Sequence, residues 1–129
     1  MKHYKIKKFT REAKKELVND ALLIDTINDF LNLDTQNQNQ YSLGSGLYKL
    51  RLATKEGRGK SGGSRTILAY KANNKIIWLH LFSKNEKGNV TASELKKLKL
   101  LSTILLNLSE TDIQSMINMG ELLEVDKNV

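Results

Sequence analysis

The sequence predicts an α+β domain built on a small, mainly antiparallel sheet, and three observations carry that reading. Apolar residues recur at spacings of three and four around residues 23–31 and again around 95–108, the stripe of an amphipathic helix. Between residues 47 and 82 the period changes to two, as on strands whose side chains alternate between faces. The helical stretches lie before and after the strand block rather than alternating with it, so strands and helices are segregated along the chain.

Taken in order, Tyr4–Phe9 reads as a short first strand from the Tyr4/Ile6 alternation. Thr10 is the expected cap of a helix starting at Arg11, and Asp20 that of a second. In this second helix Leu23, Ile24, Ile27, Phe30 and Leu31 form one apolar stripe. The run Gln36–Gln40, leading into Tyr41-Ser-Leu-Gly-Ser-Gly46, reads as a polar loop closed by glycines. In Leu47–Ala53, Tyr48, Leu50 and Leu52 point one way and Lys49 and Arg51 the other. Ser64–Lys71 is a second strand of this block, and Asn73-Asn74 a hairpin turn. Lys75–Phe82 is apolar on both sides and therefore expected at the centre of the sheet. Thr91 and Glu94 have capping-box spacing, and the helix they open carries Leu95, Leu98, Leu101, Ile104, Leu105 and Leu108 on one face. Ser109 opens a last short helix that Gly120 can end, and Leu122–Val125 is a tail strand or an extension.

At 129 residues the chain is expected to form one domain spanning 1–129. It contains no Cys, which excludes a disulfide framework, a thiolate zinc site and a cysteine nucleophile. Two histidines, His3 and His80, are too few for a His-based metal site, and neither a metal nor another cofactor is expected. The opening MKHYKIKKFTREAKK has no apolar stretch behind its charges and so does not read as a signal peptide. No apolar run is long enough to span a bilayer, so the expected location is the cytoplasm, with no membrane partner.

Net charge is +7, unevenly spread. Residues 1–16 hold seven Lys/Arg against two acids, and residues 47–87 hold ten against two. Residues 17–46 and 88–129 are acidic in balance, with four Asp and no Lys/Arg in the first and six acids against four Lys in the second. A basic block inside a folded segment suits a polyanion, although a solvated face kept basic for solubility explains charge alone equally well.

Within that block, Gly57-Arg-Gly-Lys-Ser-Gly-Gly63 is not a nucleotide-binding loop. The place five residues before its Gly59-Lys-Ser is Thr54 rather than Gly, and a strand rather than a helix follows. As a basic hairpin loop it still offers Arg58, Lys60 and backbone N–H groups to phosphate, against the plain reading of a glycine-rich turn. Lys49 and Arg51 share a strand face, and Arg65 is expected beside them on the next strand. If helices pack on only one side of the sheet, the other side stays open, and three cations there form a phosphate pocket with Arg as a planar fork and Lys as a point charge. The plain alternative is surface decoration. His80, in the most apolar strand, reads more readily as a satisfied core or edge histidine than as a catalyst, and nothing brings His3 to it.

Gly46-Leu-Tyr-Lys-Leu-Arg-Leu-Ala53, Gly57-Arg-Gly-Lys-Ser-Gly-Gly-Ser-Arg-Thr-Ile-Leu-Ala69 and Phe82-Ser-Lys-Asn-Glu-Lys-Gly-Asn-Val90 resemble the RelE/HigB-like toxins of bacterial type II toxin–antitoxin systems. The resemblance extends to the trailing helix and the Gly120-Glu-Leu-Leu-Glu124 ending, and so covers nearly the whole chain. It implies the RelE/ParE fold, a small sheet with N-terminal helices on one face and C-terminal helices following. It also implies ribosome-dependent cleavage of mRNA without a metal, and neutralisation by a cognate antitoxin, expected to be of the DNA-binding helix-turn-helix type. Carried over by position, Lys49 and Arg51 hold the scissile phosphate region and Arg65 stabilises the transition state. Lys84 joins these as a catalytic cation, and Lys55, Arg58, Lys60 and Lys87 are expected RNA-binding cations. RelE-type enzymes often carry a tyrosine just beyond that point, where this chain has Thr91, so a neutralised Lys, His80 or a ribosomal group are the alternatives for the general base. Two rival functions stay open: inhibition of DNA gyrase on the same fold, as in ParE-like toxins, and an RNA- or ribosome-binding module without catalysis.

Overall fold

In the computed structural model, which describes residues 1–52, 63–83 and 90–126, strand β1 (Lys2–Ile6) runs straight into helix α1 (Lys7–Lys15). Helices α2 (Asp20–Leu31) and α3 (Thr35–Asn39) follow, then strands β2 (Ser42–Gly44), β3 (Leu47–Leu52), β4 (Ser64–Lys71) and β5 (Lys75–Ser83). Helices α4 (Ala92–Leu106) and α5 (Glu110–Asn118) and strand β6 (Leu122–Glu124) complete the order. The fold is α+β, and its six strands lie in the order β2-β3-β4-β5-β1-β6. All neighbours pair antiparallel except β1 with β5, which are parallel from Lys2↔Lys75 to Lys5↔Trp78.

The strand alternation sorts side chains into two cores. On one face Leu50, Leu52, Leu68, Ile76, Trp78 and Leu81 pack against Phe9 and Ala13 of α1 and Leu23, Ile27 and Phe30 of α2. Phe30 meets Tyr48 and Tyr70 edge-on at 5.2 and 5.4 Å between ring centres, the geometry that the ring quadrupole favours. On the other face Leu47, Ile67, Ala69, Ile77 and Leu79 pack against Leu105 of α4 and Ile113 of α5. The side of the sheet expected to stay open is therefore covered in part, because the C-terminal helices carry a second apolar face that also has to be buried.

Several local expectations hold. Thr91 and Glu94 form a reciprocal capping box, with Glu94 N donating to Thr91 Oγ1 at 3.1 Å and Thr91 N to Glu94 Oε1 at 3.0 Å. Ser109 caps α5, and the β4–β5 hairpin turns at Asn73, whose φ is +59°. The strand at Lys75–Ser83 is central, and the tail forms β6 on the outer edge of β1.

Others are corrected. Phe9 belongs to α1, not to the first strand, and is buried against Trp78 at 5.8 Å between ring centres. Helix α1 begins at Lys7 with no side-chain cap, and Thr10 instead bonds back to Ile6 O. The cap of α2 is Asn19, whose Oδ1 accepts from Leu22 N, and Asp20 is the first helical residue. Asp20 is used elsewhere: it pairs with Lys5 at 2.7 Å and accepts from Asp126 N, joining β1, α2 and the tail. Gln36–Gln40 lies largely in α3, which Asp34 caps, and Ser42–Gly44 is an edge strand rather than loop. The β2–β3 turn needs the positive φ of Gly46 (+78°), and a Cβ there would stand 2.5 Å from Leu106 Cδ1, so glycine also lets α4 approach. Ile104 faces solvent, 51 % exposed, rather than joining the buried stripe of α4.

The end of α4 is fixed by a buried cation. Lys75 Nζ donates to Leu105 O at 3.3 Å and Leu108 O at 2.9 Å, two carbonyls at the helix terminus. Burial, reinforced by the charge of Lys71 and opposed by Glu110, pulls the Lys75 ammonium below its usual value. Among the described residues no helix is long and apolar enough to cross a membrane.

Candidate functional site

The register of β3, β4 and β5 brings three cations to the α4/α5 side of the sheet. Lys49 is opposite Ile67, and Arg51 is the direct partner of Arg65. Arg65 is in turn opposite Phe82 on β5. Because side chains alternate, Lys49 and Arg51 stand on the same face as Leu47, and Arg65 on the same face as Ile67 and Ala69. Arg51 is exposed, whereas Lys49 and Arg65 are half-buried. Arg65 Nη1 lies 3.5 Å from Gly63 O, a long contact that leaves the guanidinium fork for other acceptors. Like charges directly opposite one another weaken a sheet, so the Arg51–Arg65 pairing is a feature that folding alone does not favour.

The structure thus brings Lys49, Arg51 and Arg65 to one face. Lys84, Lys55, Arg58, Lys60 and Lys87 lie outside the described residues. Among the described residues no group of His, Asp and Glu is placed to hold a metal ion.

Beside the cations lies an arrangement that sequence reasoning did not anticipate. Strand β1 stops pairing with β5 at Lys5↔Trp78, and α1 continues along the edge of β5 where β1 leaves off. Glu12 Oε1 accepts from Leu81 N at 3.1 Å, filling the place of a missing strand carbonyl. Glu12 Oε2 lies 3.1 Å from His80 Nδ1 and 2.9 Å from Lys8 Nζ, and Lys8 Nζ is itself 2.9 Å from His80 Nδ1. Burial pushes the Glu12 carboxyl up, but the hydrogen bonds from His80 and Lys8 and their charges outweigh it and hold it below the ordinary carboxylate value. One turn on, Glu16 accepts from Ser64 Oγ at 3.2 Å and ties the end of α1 to the start of β4.

A register shift between Ile67 and Leu68 leaves Leu79 without a partner of its own and sets His80 opposite Ile67. His80 stacks on Phe82 at 5.1 Å and lines a cavity under α4 with Leu79, Leu98 and Leu101. It is not the satisfied core or edge histidine that its apolar strand suggested, because its Nε2 is buried with no hydrogen-bond partner among the described residues. His3 is on the other side of the sheet, where its Nε2 accepts from Trp78 Nε1. The two histidines cannot act as a pair. The only sequence signal for the His80 cluster was the spacing of four between Lys8 and Glu12, and that spacing does not say what the pair will meet.

Such an array can hold a phosphate chain: a planar fork at Arg65, a second at Arg51, an ammonium at Lys49, and a basic helix alongside. Comparison with known proteins bears on what that chain belongs to. The family model for the RelE toxin of the RelE/RelB toxin–antitoxin system matches residues 1–125. No curated protein matches the sequence.

Proposed function

The chain belongs to the RelE toxin family, as the toxin partner of a cognate antitoxin, and from that premise we propose that it is a ribosome-dependent mRNA endoribonuclease needing no metal. The observation that carries the reading is the register that sets Arg51 opposite Arg65 on the face that also bears Lys49. In the proposed reaction a ribose 2′-OH attacks the adjacent phosphorus. The O2′–P bond forms and the P–O5′ bond breaks, leaving a 2′,3′-cyclic phosphate and a 5′-OH. One proton leaves the 2′-oxygen and one is delivered to the departing 5′-oxygen. Negative charge grows on the non-bridging oxygens, where the Arg65 fork stabilises it. Lys49 and Arg51 hold the flanking phosphates, and Lys84 is the fourth catalytic cation of the proposal. Lys55, Arg58, Lys60 and Lys87 extend the contact along the RNA. Preorganised donors of this kind contribute about 10²- to 10³-fold each to a rate.

Two measurements test the reading. Mapping mRNA 5′ ends in a reconstituted translation reaction should give new ends only when ribosomes are present. Intact mRNA in every lane contradicts it: DNA damage would then assign gyrase inhibition, and retention on ribosomes a binding module without catalysis. With five or six cations meeting phosphate, the log–log salt slope for free single-stranded RNA should be about −3.5 to −4, and a slope near zero would make the basic face decoration.

A further inference from the structure

We propose that the end of the sheet where Lys2, Lys75 and Lys71 line up is a binding site for a phosphate group, separate from the Arg65 site. The register puts Lys75 directly opposite Lys71 on β4 and directly opposite Lys2 on β1. Three lysines thus stand in a row across three neighbouring strands, on the sheet face that also bears Tyr4, Ile77 and Ala69. Like charges directly opposite one another weaken a sheet, so the row is unfavourable unless an anion joins it. The chain supplies no counter-ion of its own. Among the described residues Lys2, Lys71 and Lys75 form no salt bridge, and neither does Glu110 beside them.

The three lysines line a cavity of about 200 Å³ together with Tyr4, Asn74 and Glu110. Pockets for drug-sized ligands begin at about 300 Å³, so this one suits a small group. Lys75 is its fixed charge, held on the carbonyls of Leu105 and Leu108. Burial and then the charge of Lys71 pull that ammonium below its usual value, against Glu110, and an anion in the cavity favours its charged form. Lys2 and Lys71 are exposed, and neither side chain makes a hydrogen bond among the described residues, which leaves their donors to a ligand. Lys2 is not a fraying terminus, because its backbone N–H donates to Asn74 O at 3.0 Å. Burial, with the charges of Glu124 and Glu110, raises the Tyr4 hydroxyl above its ordinary value, so it keeps its proton.

The donor set favours phosphate over carboxylate. A planar carboxylate is matched by the fork of an arginine, whereas a tetrahedral phosphate accepts from separately placed point charges such as these. Three cations against the one anion of Glu110 also leave a positive balance that a phosphate can neutralise. Lys71 lies six residues beyond Arg65 on β4, about 20 Å at the rise of a strand. A phosphate here is therefore not the one that Arg65 holds. It comes either from another stretch of RNA or from the free ion.

The test follows backbone amide NMR signals while inorganic phosphate, acetate or a short single-stranded RNA is added at matched ionic strength. Wild type is compared with the double variant Lys2→Gln/Lys71→Gln, which leaves Lys75 on its carbonyls and Arg65 in place. The proposal expects phosphate to move the signals of Asn74 and Lys75, and the double variant to weaken that response about tenfold while signals around Arg65 respond as before. Movement of the same signals by the RNA supports RNA as the source, and movement by inorganic phosphate alone supports the free ion. Acetate acting as strongly as phosphate overturns the proposal and gives the row to carboxylates, such as those of an acidic partner protein. No movement at this end with phosphate or RNA overturns it as well, and so does an undiminished response in the double variant.

Discussion

The two faces of one sheet follow different rules. On the face toward α1 and α2, Tyr48, Leu50, Leu52, Leu68 and Tyr70 are all devoted to packing. Its buried histidine, His3, is matched to the Trp78 indole at 2.6 Å. On the face toward α4 and α5, the same strands alternate from Leu47 to Lys49 and Arg51, and from Ala69 and Ile67 to Arg65. His80 on that face is as buried as His3, both 8 % exposed, yet keeps an unpaired nitrogen. Equal burial therefore does not mean equal hydrogen bonding: one ring is matched to an indole N–H, and the other keeps a nitrogen with no partner among the described residues.

The largest expected effect sharpens this division on the packing face. Trp78→Ala empties the middle of the first core, which should cost about 3–5 kcal/mol and lower the melting temperature by about 10–20 °C. A calorimetric scan showing only a few degrees of change would mean that this face is less interdependent than its contacts imply. Next comes Lys75→Met, which leaves the carbonyls of Leu105 and Leu108 without their donor. Thermal unfolding should show a loss of about 1–3 kcal/mol, with α4 loosened at that end. An unchanged melting temperature would show that water replaces the ammonium at no cost.

Acid offers a third separation. The Glu12 carboxyl titrates below its ordinary value of 4.5 in the folded chain, so its contribution is complete above that value and disappears as pH falls through the folded one. Stability of wild type should therefore fall more steeply than that of Glu12→Gln as the pH drops below about 5, and parallel curves would remove Glu12 from the acid response. The smallest effect concerns the outer side of α4. Leu100 and Ile104, 65 % and 51 % exposed, should each tolerate Gln within about 0.5 kcal/mol, whereas Leu105→Ala should cost about 2–5 kcal/mol.

Features set by neighbours in sequence were legible. The Thr91/Glu94 box, the Asn73 turn and the Leu23–Ile27–Phe30 stripe each depend on residues within a turn or two of one another. So was the shared face of Lys49, Arg51 and Arg65, because alternation is a local property of strands. Features set across the fold were not. Asn19 and Asp20 are both good caps, and the pairing of Asp20 with Lys5 decided between them only once β1 and α2 had met. Phe9 suits a strand or a helix, and its place against Trp78 depends on where α1 lies. The partnership of Arg51 with Arg65 depends on hairpin register, which alternation leaves free by steps of two. The surroundings of His80 come from the parallel β1–β5 pairing, which delivers α1 to the edge of β5 from more than sixty residues away in sequence.

The central claim is that the cations on the α4/α5 side serve RNA rather than the fold, and Arg65→Ala tests it most directly when melting temperature and mRNA cleavage on ribosomes are measured on the same preparation. Relief of the Arg51–Arg65 repulsion predicts a melting temperature within a few degrees of wild type, with cleavage reduced about 100-fold or more. Full cleavage by the folded variant, or unfolding with the loss of Arg65, would contradict the account.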